Sequence, residues 1–228
     1  MTSLVPATRA ALTGLPVQVA PLLLGGVLRV ESPEGVVGVR ITEVEAYHGL
    51  GQGEAFDPGS HARMGPTARN ATMWGEPGHL YVYLSHGIHS CVNVVAGRAG
   101  ERGGGVLLRA GEVVEGQEIA RTRRLAARTD RELARGPGKL GQALALRHAR
   151  HDGIDAVAAT PRAGAVARLL LPAVPATNVS AGPRVGVAGA AGTGAFPWRF
   201  WLTGDATVSP FRWGRGAEAA AATDRMLD

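Results

Sequence analysis

Alternating apolar and polar positions dominate the first half of the chain, and spacings of three and four appear only in short later stretches. From Gly26 the string VLRV, the turn-forming Ser32-Pro33-Glu34-Gly35 and the run VVGVRITEVEAY predict a β-hairpin, because a Pro and a Gly punctuate two β-branched segments. A period of two puts Val37, Val39, Ile41, Glu43, Glu45 and Tyr47 on one face of the second strand. That apolar face ends in two carboxylates and a phenol, as a strand does when it runs out of a core into a site. A second hairpin is predicted by LYVYL, the tight Ser85-His86-Gly87 and IHSCVNVV, with Tyr81 and Tyr83 sharing a face. The string VLLRA predicts a further strand that brings Leu107 and Arg109 together.

Between these strands, residues 48–79 are Gly- and Pro-rich without periodicity, a loop long enough to suggest function. Gly97 to Gly105 reads as a flexible connection. Helical spacing extends from Glu112 to about Ala127, and Gly-Pro-Gly-Lys at 136–139 opens a short helix over KLGQALAL. Residues 150–182 read as long surface loops, WRFWL at 198–202 as a late strand, and Gly216 to Leu227 as a terminal helix. The first 16 residues read as a loose arm, with residues 17–228 forming one domain. The expected fold class is α+β: a single mixed domain with a central antiparallel β-sheet, a protruding β-hairpin and a few flanking helices.

Composition adds limits more than identity. With 45% apolar residues the chain can bury a real core. Its single cysteine, Cys91, leaves no disulfide framework and no Cys-rich structural zinc site. Met1 to Pro16 lacks the basic start and long apolar run of a secretory signal, and Pro21 and Arg29 interrupt the run Val17 to Val30 too early for a bilayer span. A soluble, cytoplasmic protein is the expectation. The net charge of +5 and pI near 10.3 suit a polyanion such as nucleic acid. A composition rich in Ala, Gly and Arg, with Lys139 as its one lysine, is also what GC-rich coding would impose, so charge alone decides little.

Candidate chemistry concentrates on the strands. Paired carboxylates such as Glu43 and Glu45 are commonly a solvated edge, but one standing where an apolar face meets a site is a good general base. Asn93 and Arg109 interrupt otherwise apolar strands, so each needs either a structural partner or a recognition role. His61, in a loop, reads more often as structural or solvent-facing than as functional, and His86 reads as a surface turn or a wedge. A metal hydrolase built from Glu45, His61, His79, His86 and His89 is disfavoured, since His86 and His89 stand three apart on a strand and point to opposite faces. Gly186, Gly189, Gly192 and Gly194 lack dinucleotide-fingerprint spacing, so neither a metal nor a nucleotide cofactor is expected.

The ordered strings ITEVEAY, SHA…GPTARNATMWGEPGHLYVY, HGIHSCVNVV, VLLRAGEVVEG, RELARGPGKLGQALAL and PRVGV…WRFWLTG resemble the alkyladenine (3-methyladenine) DNA glycosylase family over roughly residues 20–210. The resemblance implies a bacterial base-excision repair enzyme that flips alkylated, and by extension deaminated or etheno, purines from duplex DNA and hydrolyses the N-glycosidic bond. It implies Glu45 as the base that activates water and Arg109 as the group that holds that water and a phosphate. Tyr47 would stack on one face of the extruded base, His61 and Tyr83 on the other, with Asn93 at the pocket floor. Arg121 and Lys139 would contact the DNA backbone. One position departs from the family: the hairpin tip, usually a tyrosine wedge, is His86, a smaller ring that holds a flipped state less firmly. Strand cleavage through a Schiff base needs an amine, and the candidates are the N-terminus and Lys139, which is accounted for as a backbone contact, so a monofunctional enzyme is favoured. A monomer is expected because one enzyme unit must wrap one lesion. The competing reading is a non-catalytic damaged-DNA-binding protein on the same scaffold, which gains nothing from a carboxylate beside Arg109 in a base pocket.

Overall fold

The structure is a computed structural model that describes residues 3–50, 56–99 and 103–224. In chain order its elements are β1 (Leu4–Pro6), α1 (Pro16–Leu23), β2 (Val27–Ser32), β3 (Gly35–Tyr47), β4 (His79–Ser85), β5 (His89–Val95) and β6 (Gly105–Glu115). There follow α2 (Gln117–Arg123), β7 (Ala134–Arg135), α3 (Pro137–Ala143), β8 (Ile154–Asp155), β9 (Val166–Pro172), β10 (Val179–Gly182), β11 (Arg199–Leu202) and α4 (Ala217–Asp224). The sheet runs β1-β9-β2-β3-β6-β5-β4-β8, with every pairing antiparallel. β3 is the spine. One of its edges pairs with β6, and the other with β2 along its first half and β11 along its second. Both predicted hairpins form, as β2–β3 and β4–β5.

The two-residue period does not hold through β3, and the expected common face does not form. Val37, Val39 and Ile41 join the core, but beyond them the core positions are Val44 and Ala46. The ladder with β6 slips between Ile41 and Glu43, so Thr42 is an extra residue on β3. This β-bulge moves Glu43, Glu45 and Tyr47 to the opposite face from the valines that precede them. Bulges commonly re-aim side chains beside active sites. The buried Thr42 hydroxyl is satisfied by Thr207 Oγ1 at 2.8 Å.

One face of the sheet is thus dry. Leu80, Val82, Val92, Val94, Val106 and Leu108 lie there, fully covered together with Val19 and Leu23 of α1 and Leu140 of α3. Each such side chain contributes about 1.5–3 kcal/mol of burial. The other face carries Tyr81, Tyr83, Asn93, Leu107 and Arg109 beside the redirected end of β3.

Several segments differ from the sequence expectation. Glu112 to Glu115 continue β6 instead of opening a helix, and α2 begins only after Gly116, whose φ of +71° and close approach to the Val36 carbonyl leave no room for a Cβ. Within the stretch expected as surface loops, β9 pairs with β2, and its Ala167, Leu169 and Leu171 enter the core. The segment read as a loose arm is tied down: β1 pairs with β9 and Leu12 is fully buried. The terminal helix forms as α4, and residues 225–228 of its expected span lie outside the described residues. Part of the Gly-rich string after Tyr47 (51–55) and part of the connection 97–105 (100–102) also lie outside them. Among the described residues, no helix is long and apolar enough to cross a membrane.

Candidate active site

On the polar face of the sheet, a cavity of about 460 Å³ opens between the β4–β5 hairpin, the end of β3, the loop around His61 and the segment Val185 to Ala188. Glu45, Tyr47, His61, Tyr83, His86, Asn93 and Arg109 all line it. Seven of the nine residues singled out from sequence therefore converge, from four separate stretches of chain. Sheet register does much of this work, setting Glu45 across from Leu107 and Asn93 across from both Leu107 and Tyr81.

Glu45 is fully buried at the cavity wall. Its Oε1 accepts the Val185 amide at 2.7 Å and lies 3.6 Å from Arg109 Nη1, and its Oε2 accepts the Tyr47 hydroxyl at 2.8 Å. The carboxylate plane is fixed by partners from three stretches of chain. Burial works against the charge of Arg109, but Glu45 and Glu43 outweigh it and raise its pKa. Behind this pair lies a second layer that sequence reading did not assign. Glu43 binds Arg109 Nε at 3.1 Å, Arg199 Nε at 2.6 Å and the Ser209 amide at 2.7 Å. Arg109 Nε also donates to Ser209 Oγ at 3.1 Å.

The aromatic walls are neutral. Burial, and then the neighbouring Glu45, push the Tyr47 phenol well above its ordinary range, so it remains a hydrogen-bond donor. Burial pushes Tyr81 up to about 12, and burial followed by Cys91 raises Tyr83 further. Tyr81 stacks on Tyr83 with centroids 5.5 Å apart, and His61 meets Tyr83 edge to face at 4.8 Å. Asn93 donates its Nδ2 to the Tyr81 carbonyl at 3.1 Å, so the cavity-lining amide also has a structural bond.

Behind Tyr47 stands Arg184, fully buried, its guanidinium carbon 4.6 Å from the ring centroid. It binds both oxygens of Asp57 at 2.8 and 2.9 Å and the carbonyls of Ala46 and Ala191 at 3.1 Å. Asp57 in turn accepts the amides of His48 and Gly59. This one ion pair clamps together three of the segments that make the cavity wall.

His86 sits at the hairpin tip, exposed, with φ +50° beside Gly87 at +71°. Two successive positive φ values make a tight turn that matches strand twist, and histidine is among the side chains that tolerate them. The remaining two sequence candidates lie outside the cavity lining. Lys139 is exposed on α3, two residues beyond the cavity-lining Pro137. Arg121 on α2 is held by Asp130 at 2.7 Å and by Glu118, so two carboxylates already neutralise it.

The sequence profile of the methylpurine-DNA glycosylase (MPG) family matches residues 11–206 of the 228. The chain belongs to this family. Relatives include proteins named provisionally as 3-methyladenine DNA glycosylases. One from Streptomyces avermitilis is 50% identical over 91% of this chain and 92% of its own length. Another from Leifsonia xyli is 51% identical over 90% and 92%, and a third from Nocardia farcinica is 47% identical over the same shares.

Burial also makes the histidines a pH-dependent element of stability. His48, His61 and His151 are each held below the ordinary value of 6.5, and burial is the first cause in every case. For His61 the nearby Arg69 and Arg63 add to it. His48 packs on Trp198 with ring centroids 4.5 Å apart, and neither of its ring nitrogens has a partner among the described residues. These rings stay neutral in the fold, so the unfolded chain takes up protons first as pH falls below about 6.5. Stability is therefore expected to be greatest well above that value and to decline as pH falls below it. A lower urea midpoint at about pH 5.5 than at pH 7.5, with a shallower dependence in His48→Phe, is the expected result. A midpoint independent of pH across that window would contradict it.

Proposed function

We propose that the cavity receives an alkylated purine extruded from duplex DNA and that Glu45 activates the water that displaces it. The observation that carries this reading is a buried carboxylate, fixed by Tyr47, Val185 and Arg109, in the wall of a cavity lined by neutral aromatic rings. Chemistry on a base inside a duplex requires flipping, at a cost of a few kcal/mol that is lowest for damaged or weakly paired bases. Alkylation at N3 or N7 makes the purine cationic, so Tyr47 on one face and His61 with Tyr83 on the other attract it through their π-systems. The lowered pKa of His61 keeps its ring from adding a like charge. Water adds to C1′, its proton passes to Glu45, and the cationic base departs as a neutral purine without needing an acid. The same carboxylate stabilises the oxocarbenium-like transition state. Arg109 holds Glu45 and faces the nucleotide's phosphate. Asn93 crowds the 2-amino group of a normal guanine, and so rejects it.

This assigns the protein a place in DNA base-excision repair as a monofunctional hydrolase that leaves an abasic site, acting as a soluble cytoplasmic monomer at the nucleoid. Deaminated and etheno purines fit the same stacking walls but leave less readily. The test is incubation with duplex DNA carrying one alkylated purine. Free base should appear with the backbone intact until alkali is added, and borohydride should trap no protein–DNA adduct. A trapped adduct would overturn the monofunctional assignment, and tight binding without base release would favour a damage-binding protein.

His86 serves as the wedge in this reading. Its small ring covers little of the gap left by the base, so His86→Tyr is expected to hold the flipped state up to about tenfold longer, read with a fluorescent base beside the lesion. An unchanged residence time would remove the wedge role. Of the two backbone cations, Lys139 is the freer. Lys139→Ala should reduce the slope of log affinity against log salt by about 1. Arg121→Ala should reduce it less, because Asp130 and Glu118 already pair with it.

A further inference from the structure

The dry face of the β4–β5 hairpin carries an apolar row that runs past the end of the core. Leu80, Val82, Val92 and Val94 are fully covered, but Leu84 is 36% and Ile88 73% exposed, where the hairpin extends beyond α3. Between this uncovered stretch and α3 with its following turn lies a notch of about 550 Å³, distinct from the cavity that holds Glu45. Gly138 and Gly141 let α3 approach the hairpin closely at His89 and Ser90, which sets the depth of the notch. His148 is anchored on the opposite wall. Its Nδ1 lies 2.8 Å from the Val82 carbonyl, and its amide donates to Ser90 Oγ at 2.9 Å. A carbonyl can only accept, so Nδ1 carries the proton and Nε2 is left as an acceptor. Arg147 beside it has no carboxylate partner among the described residues.

The hairpin tip therefore divides two cavities. Ser85 and His86 line the one on the side of Glu45, and Leu84 and Ile88 line the notch on the other. Extrusion of a base to one side of a wedge leaves one nucleotide of the complementary strand without a partner.

Resting on the reading of the first cavity as a base pocket, we propose that the notch seats this unpaired nucleotide of the opposite strand. Leu84 and Ile88 would press on the flat face of the base, the His148 Nε2 would accept from its edge, and Arg147 would meet its phosphate. The exposed Leu84 and Ile88 on one wall, with the Arg123–Glu34 ion pair also in the lining, suit a base better than a phosphodiester alone. The notch would then make the enzyme selective for duplex over single-stranded DNA.

The experiment compares the wild type with the double variant Leu84→Ser, Ile88→Ser, both exposed positions. Binding is measured to a duplex holding a tetrahydrofuran abasic analogue opposite 2-aminopurine, and to the single strand holding the same analogue. The variant is expected to lose about tenfold in duplex affinity, to bind the single strand unchanged, and to abolish the 2-aminopurine fluorescence change. Arg147→Ala should weaken duplex binding alone, with the fluorescence change retained. Equal duplex affinity and fluorescence response in wild type and double variant would overturn the proposal, as would equal losses on both DNAs. Binding at the notch needs no catalysis, so a wild type that released no base from a separate duplex carrying an alkylated purine would sink the glycosylase reading and leave this result standing.

Discussion

Glu45→Gln is expected to lower single-turnover base release by about 10²- to 10⁴-fold, the range over which a positioned general base acts, with DNA affinity nearly unchanged. The geometry argues that the loss is chemical. A glutamine carbonyl still accepts the Val185 amide that bonds Oε1, and its amide nitrogen can meet the Tyr47 oxygen that bonds Oε2. The scaffold keeps its partners; the proton acceptor and the negative charge are lost. Rate and affinity falling together would mean that Glu45 is chiefly structural.

The second large effect concerns folding. Arg184→Met leaves Asp57 fully buried without its cation, and removing one partner of a buried pair typically costs about 3–5 kcal/mol. Burial disfavours the Arg184 charge, and the bonds to Asp57 more than offset it, raising its pKa. Urea denaturation should show the loss, and a combined Arg184→Met, Asp57→Asn variant should recover much of it. Such recovery would still leave Tyr47 without the guanidinium behind its ring, so base release should remain impaired after stability returns. A single variant as stable as the wild type would contradict the clamp.

Much of this site was legible in the sequence because strands write their pattern locally. Tyr81 and Tyr83, Leu107 and Arg109, and the tip at His86 follow from alternation and turn chemistry. The orientation of Glu45 did not. Thr42 fits an alternating strand as well as any residue, and only the ladder with β6 reveals it as a bulge that turns the carboxylates away from the valines. The Arg184–Asp57 pair spans 127 positions, and no local pattern announces it. A charged residue inside apolar strings such as PRVGV and WRFWL was the available signal for Arg184 and Arg199. β9 was hidden by the Ala/Pro/Gly composition around it, although VARLLLP is a short, largely apolar run once isolated. Arg121 shows the converse: its cation was visible in sequence, its neutralisation by Asp130 and Glu118 was not.

The central claim is that the Glu45 carboxylate faces the sugar as positive charge develops at C1′. Its most direct test is the affinity for a duplex in which a cationic pyrrolidine replaces the damaged nucleotide's sugar, compared with a neutral tetrahydrofuran analogue. Wild type should bind the cation at least about 10²-fold more tightly, as transition-state mimics are bound, and Glu45→Gln should erase that preference. Equal binding of the two by the wild type, or a preference that survives in Glu45→Gln, would contradict the account.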